Sequence, residues 1–320
     1  MGGCLAFGGK PAIIAAMRYG AIIKEIGRGA KGARDLDTAA AAALFGDILD
    51  GAVPELELGA ILIAFRIKSE ALPELLGFKQ AMDARTAQVA VPEGPRCVVL
   101  PTYNGARRQA NLMPLVALLL AREGVPVLIQ GRHDFETRVS PFELLAALEL
   151  RPAADVAEAS AQLEQRRIAC IGVDKLLPGF DPLLALRVRM GVRASGHTMA
   201  KLIDPCRGRS VRVVAVTHPE YLERMDEFLR ADGGRAMLMR GTEGEIYANP
   251  RRCPEMKVYV DGAASIGVAG EEGGAPPLAG LPDAPSVADN AALIRAMLAG
   301  EAPMPDAILK QVAALRALAA

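Results

Sequence analysis

The chain has 320 residues, room for one large domain or two. Its 37 lysines and arginines balance 37 acids, and 51% of it is hydrophobic, ordinary for a globular protein with a sizeable core. Tryptophan is absent and aromatics make up only 4%, which argues against any reader built on aromatic base-stacking platforms.

Residues 13 to 86 read as helices. Asp37-Thr38 offers an N-cap before a helix over 39–49, and Gly51 closes it. Leu58, Ile61, Leu62 and Phe65 stand at helical spacing within 58–68. Pro73 starts a further helix towards Ala84, with Leu75, Leu76, Phe78 and Met82 as its buried side. Such a module serves packing or dimerisation rather than chemistry.

The pattern changes near residue 96. Cys97-Val98-Val99-Leu100 reads as a strand. A loop over 101–108, a helix over 111–122 closed by Gly124, and a strand over 125–129 follow. Strand, helix and strand with short loops make a βαβ unit and imply a parallel sheet, with ligands bound beyond the carboxyl ends of the strands. Two such loops carry arginine: Arg107 and Arg108 in the first, Arg132 beside His133 in the second. Ser140-Pro141 starts a helix to about Leu150, and 169–172 reads as a short strand. A helix over 182–190, a buried strand over 211–216, a helix over 220–231 and a strand over 235–240 follow. Residues 262–287 are rich in glycine, proline and alanine and read as loop with one strand at most. Asp289 is expected to cap a helix to Leu298, and 306–318 is the last helix.

Charge gathers in one place. Between Arg187 and Arg212 lie Arg187, Arg189, Arg193, Lys201, Arg207, Arg209 and Arg212 against a single acid, Asp204, a local charge of +6. A neutral chain with such a cluster suggests a site for something anionic. The bland reading is a solvated helix face, with Arg187 and Arg189 paired to carboxylates of the helical domain. Gly191, Gly196 and Gly208 favour the site, as they allow close backbone approach, and Ser195, His197 and Thr198 add short polar groups. Arg251-Arg252 reads as a solvated turn, and His218 as a structural hydrogen-bonder.

The five cysteines are scattered and form no C-x-x-C, so no zinc knuckle or redox pair is indicated, and a reducing cytoplasm is expected. The three histidines lack metal-ligand spacing. The longest apolar run, 112–121, is about half the roughly 20 residues a membrane span requires. The opening MGGCLAFGGKP lacks a basic region ahead of an apolar core, so no signal peptide is expected.

The phrase at Gly59–Glu70, the Asp289-Asn290-Ala291 phrase and Leu298-Ala299-Gly300-Glu301 together resemble the anthranilate-phosphoribosyltransferase-like (TrpD-like) family. The resemblance covers nearly the whole chain. It implies an α/β fold of the nucleoside phosphorylase/phosphoribosyltransferase class III type: a small helical domain and a larger α/β domain with a mostly parallel central sheet. The expected division is 1–88, with a contribution from about 176–195, and 89–320.

The family's substrate motifs are altered. Its pyrophosphate loop, GTGGD, is matched by Pro101-Thr102-Tyr103-Asn104-Gly105, where Tyr103 and Asn104 replace glycines and would crowd a phosphate cradle. Its KHGN is matched by Ile129-Gln130-Gly131-Arg132. Its acidic magnesium pair falls near Glu243–Glu245 but is split by Gly244. In the stretch 193–205, Arg193, Leu202 and Pro205 match, while His197 replaces an asparagine and Lys201 a proline.

In these respects the chain is similar to a side branch of homodimeric, non-sequence-specific nucleic-acid-binding proteins of the YbiB type. That resemblance implies DNA or RNA binding by a basic groove at the former substrate site. The expected contacts are Arg107, Arg108, Arg132, Arg187, Arg189, Arg193, His197 and Lys201, with no catalytic residue and no cofactor. The alternative is a phosphoribosyltransferase acting on phosphoribosyl pyrophosphate and an aromatic or amine acceptor, with Glu243 and Glu245 holding magnesium. A cytoplasmic homodimer with no membrane partner is expected on either reading.

Overall fold

The computed structural model describes residues 10–29, 31–132 and 138–320, so Cys4 and His133 lie outside the described residues. In chain order it forms α1 (Lys10–Ile26), α2 (Thr38–Leu49), α3 (Glu55–Lys68), α4 (Leu72–Asp83), β1 (Cys97–Thr102), α5 (Met113–Arg122), β2 (Val127–Gly131), α6 (Pro141–Ala147), α7 (Val156–Arg166) and β3 (Ile168–Gly172). There follow α8 (Val173–Leu176), α9 (Phe180–Met190), α10 (Ser195–Met199), β4 (Ser210–Val216), α11 (Pro219–Asp232), β5 (Arg235–Arg240), β6 (Met256–Val260), β7 (Ala263–Val268), α12 (Val287–Ala299) and α13 (Asp306–Ala319). The chain divides into a helical unit, 1–85 with 178–199, and a sheet unit, 86–177 with 200–320.

In the helical unit, Asp37 caps α2 by accepting from the Ala40 amide at 2.7 Å. Gly77 lets α4 lie against the start of α2: a Cβ there would stand 2.4 Å from the Thr38 carbonyl. The core is aromatic. Phe45 stacks on Phe78 at 4.6 Å, and Phe65 meets Phe78 edge-on at 5.2 Å. A buried ion pair closes α3 onto α4. The Lys68 ammonium reaches Glu74 at 2.7 Å and Asp35 at 2.5 Å. Glu74 also accepts the Leu36 and Ala71 amides, so its buried charge is fully satisfied.

The sheet unit is built on seven strands in the order β3-β2-β1-β4-β5-β6-β7. The first five are parallel, and β6 and β7 return antiparallel. Alternate side chains serve opposite faces. Val98 and Leu100 pack towards residues of α5, α12 and α13. Cys97 and Val99 pack on the other face with Ala159 and Leu163 of α7. Cys97, Cys170, Cys206 and Cys253 are buried free thiols. Two buried amides act as pegs. Asn290 accepts from the Asn111 amide at 2.7 Å and donates to its carbonyl at 3.3 Å. Gln311 holds the Ala248 amide and the Ile246 carbonyl, each at 2.7 Å.

Four local features depart from the sequence reading. Helix α7 and strand β6 are not legible in the sequence. α7 buries only Ala159 and Leu163, too few apolar residues to show a period, and it starts because Asp155 caps the Glu158 amide at 2.8 Å. β6 owes its form to pairing between β5 and β7. Helix α12 is capped by Ser286, which accepts from the Asp289 amide, and not by Asp289 itself. Arg251-Arg252 is no solvated turn: Arg251 pairs with Asp283 at 2.5 Å, and Arg252 donates to the Gly273 carbonyl.

Candidate functional site

The loop after β1 and the turn after β5 meet at the carboxyl edge of the sheet, where open α/β sheets bind ligands. The turn is tight. Thr242 and Glu245 exchange backbone hydrogen bonds at 3.1 and 2.9 Å. Glu243 and Gly244 between them both have positive φ, 53° and 91°, the two-residue turn that favours glycine or asparagine. Glu243 takes the left-handed conformation despite its side chain, and the turn aims two carboxylates at the loop after β1.

Glu245 is fully buried. It accepts from the Thr102 hydroxyl at 2.8 Å, the Asn104 amide at 2.9 Å and the Gly105 amide at 2.7 Å. Glu243 accepts from the amides of Arg107 at 3.0 Å, Arg108 at 2.8 Å and Gln109 at 3.2 Å. Converging backbone N–H groups of this kind form an anion-binding nest. Here the chain fills it with its own side chains. Burial pushes the Glu245 carboxyl up, while the Thr102 hydroxyl and the amides pull it down, and burial wins.

The residues that replace glycines are knitted into the fold. The Tyr103 hydroxyl donates to the Gln130 carbonyl oxygen, and the Gln130 amide donates to the Ala200 carbonyl at 3.3 Å. Asn104 donates to the Gly244 carbonyl at 2.9 Å. Gly131 is required where it stands, because a Cβ would lie 1.8 Å from the Thr102 carbonyl. Tyr103 of the first loop is thus tied to Gln130 near the end of β2.

The eight expected contacts divide evenly between the units. In the sheet unit, Arg107 and Arg108 are exposed, and neither side chain forms an ion pair among the described residues. Lys201 donates to the Ala215 carbonyl, at the end of β4, at 2.6 Å. Arg132 follows β2, with its amide on the Thr102 carbonyl at 3.2 Å. In the helical unit, Arg189 pairs with Glu55 of α3 at 3.1 Å, the bland reading of that residue, while Arg187 sits in the last turn of α9. Arg193 offers its carbonyl to Arg66 at 2.6 Å, and His197 lies in α10. Gly191 ends α9 and Gly208 turns the chain, both with positive φ, while Gly196 packs on Leu183. They shape the chain locally. Sequence reading missed Arg138, half-buried, which donates to the Gly105 carbonyl at 3.3 Å and, like Arg107 and Arg108, forms no ion pair among the described residues. Its only sequence signal is its place just before the Ser140-Pro141 helix start.

Magnesium does not fit Glu243 and Glu245 as they stand. Both oxygens of Glu245 already accept hydrogen bonds inside the fold, and Glu243 faces amide donors. A magnesium ion keeps several waters and takes carboxylates that face it. Among the described residues, no group of three or more His, Cys, Asp or Glu side chains is placed to hold a metal ion, and no helix is long and apolar enough to cross a membrane.

Residues 21–86 match the helical bundle domain of a glycosyl transferase family. The uncharacterized protein YbiB of Escherichia coli (strain K12) is 42% identical over 299 residues, covering 93% of each chain. An anthranilate phosphoribosyltransferase of Methylocella silvestris is 30% identical over 296 residues, covering 91% of this chain and 84% of its own. The crystal structure of anthranilate phosphoribosyltransferase from Thermus thermophilus superposes with a TM-score of 0.74 at 24% identity, over 93% of this chain and 88% of that one, which establishes the likeness of fold.

Proposed function

This chain belongs to the anthranilate phosphoribosyltransferase-like (TrpD-like) family, and on that scaffold we propose a nucleic-acid-binding protein without sequence specificity rather than a transferase. One observation carries the reading. The amides that would cradle a pyrophosphate are taken by Glu243 and Glu245, while the Arg107 and Arg108 side chains of the same loop stand exposed with no acid partner among the described residues. A small pyrophosphate needs the amides and a metal. A phosphodiester backbone needs exposed cations in number.

On this reading Arg107, Arg108, Arg132 and Lys201 contact phosphates from the sheet unit, and Arg187, Arg193 and His197 from the helical unit. Arg189 contributes less, because Glu55 shares its charge. No cofactor takes part. Homodimerisation belongs to the same proposal. It is supported by the stripe Leu56, Ile63 and Ile67 of α3, left 81%, 38% and 60% exposed.

The alternative, transfer from phosphoribosyl pyrophosphate to an aromatic or amine acceptor, is favoured by the 30% identity to an anthranilate phosphoribosyltransferase. Against it stand the occupied amides and the Tyr103–Gln130 pair.

Fluorescence anisotropy with a labelled oligonucleotide of about 30 nucleotides, over a salt series, tests the proposal. Binding with a steep negative slope of log affinity against log salt is expected, and Arg107→Glu with Arg108→Glu should flatten it. Absence of binding at low salt, with magnesium-dependent heat on titrating phosphoribosyl pyrophosphate, would transfer the case to the alternative.

A further inference from the structure

The amino edge of the sheet carries a second group of cations. Arg167 precedes β3, Arg96 precedes β1 and Arg209 precedes β4. In the parallel order β3-β2-β1-β4 all three stand on one edge, at the opposite end of β1 from Arg107 and Arg108. Their guanidinium groups are held by carbonyls. Arg96 donates to Gly208 at 2.7 Å, Arg209 to Gly94 at 2.7 Å, and Arg167 to Glu93 at 3.5 Å. Arg167 and Arg209 are therefore drawn to consecutive carbonyls of one turn.

A carbonyl fixes a guanidinium without cancelling its charge. None of these three forms an ion pair among the described residues, nor does Arg166, exposed beside Arg167. Other arginines of the fold meet acids, Asp50 for Arg85, Asp232 for Arg212 and Glu123 for Arg316, while Arg122, Arg235 and Arg295 are held singly by carbonyls at scattered places; at the amino edge such arginines stand together. Asp204, the one acid of the basic stretch, turns inward to the Ser210 hydroxyl at 2.7 Å and the Cys206 amide at 3.1 Å. Glu93 lends its carbonyl, while its carboxylate is exposed and reaches no arginine among the described residues. Like charges brought together, oriented and left uncompensated call for an external anion.

From β3 to β4 is three strand spacings, about 14 Å. That length faces about four phosphates of one duplex strand. We infer that the amino edge, through Arg96, Arg166, Arg167 and Arg209, is a second surface for the phosphate backbone of a nucleic acid. The inference rests on the nucleic-acid reading above and places a contact where that reading has none.

The full chain carrying Arg167→Ala with Arg209→Ala, and separately Arg166→Glu, is titrated against a labelled duplex of about 20 base pairs across a salt series. Arg107→Glu with Arg108→Glu serves as the comparison. The double edge variant should lose roughly tenfold in affinity at low salt and about two from its log–log slope. Should it melt early because the 93–96 turn is loosened, Arg166→Glu decides, because that side chain makes no hydrogen bond or ion pair among the described residues; it should flatten the slope by about one. Wild-type binding that neither edge variant weakens overturns the second surface and leaves the first. No wild-type binding at low salt overturns both.

Discussion

Replacing Glu245 by alanine tests whether this carboxylate stands in for a ligand anion. The side chain is fully buried and serves the Thr102 hydroxyl and the amides of Asn104 and Gly105. The hydroxyl can rotate to another partner, but the two amides cannot. Each buried donor left unmet costs about 1–3 kcal/mol, so the variant should lose about 3–5 kcal/mol once the vacated volume is included. For a unit of this size that is a fall in Tm of roughly 10 °C. The vacated nest should then accept an anion. Inorganic phosphate at about 100 times its dissociation constant would restore about 2.7 kcal/mol. The assay is thermal and urea unfolding of wild type and variant with and without phosphate, using chloride to match ionic strength. Glu245→Gln is the control, since it keeps one oxygen for the amides and lets the Thr102 hydroxyl accept. It should lose no more than about 1 kcal/mol and show no rescue. An alanine variant as stable as wild type, or a wild type stabilised by phosphate as strongly as the variant, would refute the reasoning.

Two further outcomes are expected. Tyr103→Phe leaves the buried Gln130 oxygen without the hydroxyl and should cost about 1–3 kcal/mol in urea unfolding, with Gln130→Leu adding less than the sum because the two share one interaction; full additivity would show that the pair does not act as one. The pH dependence of Glu245 has a definite sign. Its carboxyl is raised in the fold by burial, above the ordinary value of 4.5. A raised carboxyl contributes stability that is present below that ordinary value and lost as pH climbs through the raised one. The stability of Glu245→Gln relative to wild type should therefore rise with pH across that interval, and a relative stability that falls with pH instead would mean that the donors outweigh burial.

Much of the fold was legible for simple reasons. The helical unit announces itself through Leu58, Ile61, Leu62 and Phe65 at helical spacing and through the Asp37 cap. The buried strands β1, β2 and β4 are short runs dominated by apolar, mostly β-branched residues. Helix α7 was hidden because its burial is slight, and β6 because its form comes from pairing with β5 and β7, whereas β7 falls in the stretch that allowed one strand. Both are settled by what they pack against, β3 for α7 and the strands on either side for β6.

The altered site divides along the same line. The sequence determined that the cradle glycines are gone, that arginines flank their place, and that an acid pair is split by Gly244. These are facts of composition and spacing along one segment at a time. Only the tertiary structure decided what the changes do to one another. It set Tyr103 against Gln130 across neighbouring strands, and carried Glu243 and Glu245 over more than a hundred residues of chain to the amides of the first loop. It paired Arg189 with Glu55 but left Arg107, Arg108 and the arginines of the amino edge on carbonyls or on solvent. A charge run tells how many cations a segment holds. Whether a cation remains available depends on which acids the fold brings within reach, and that is a property of three dimensions.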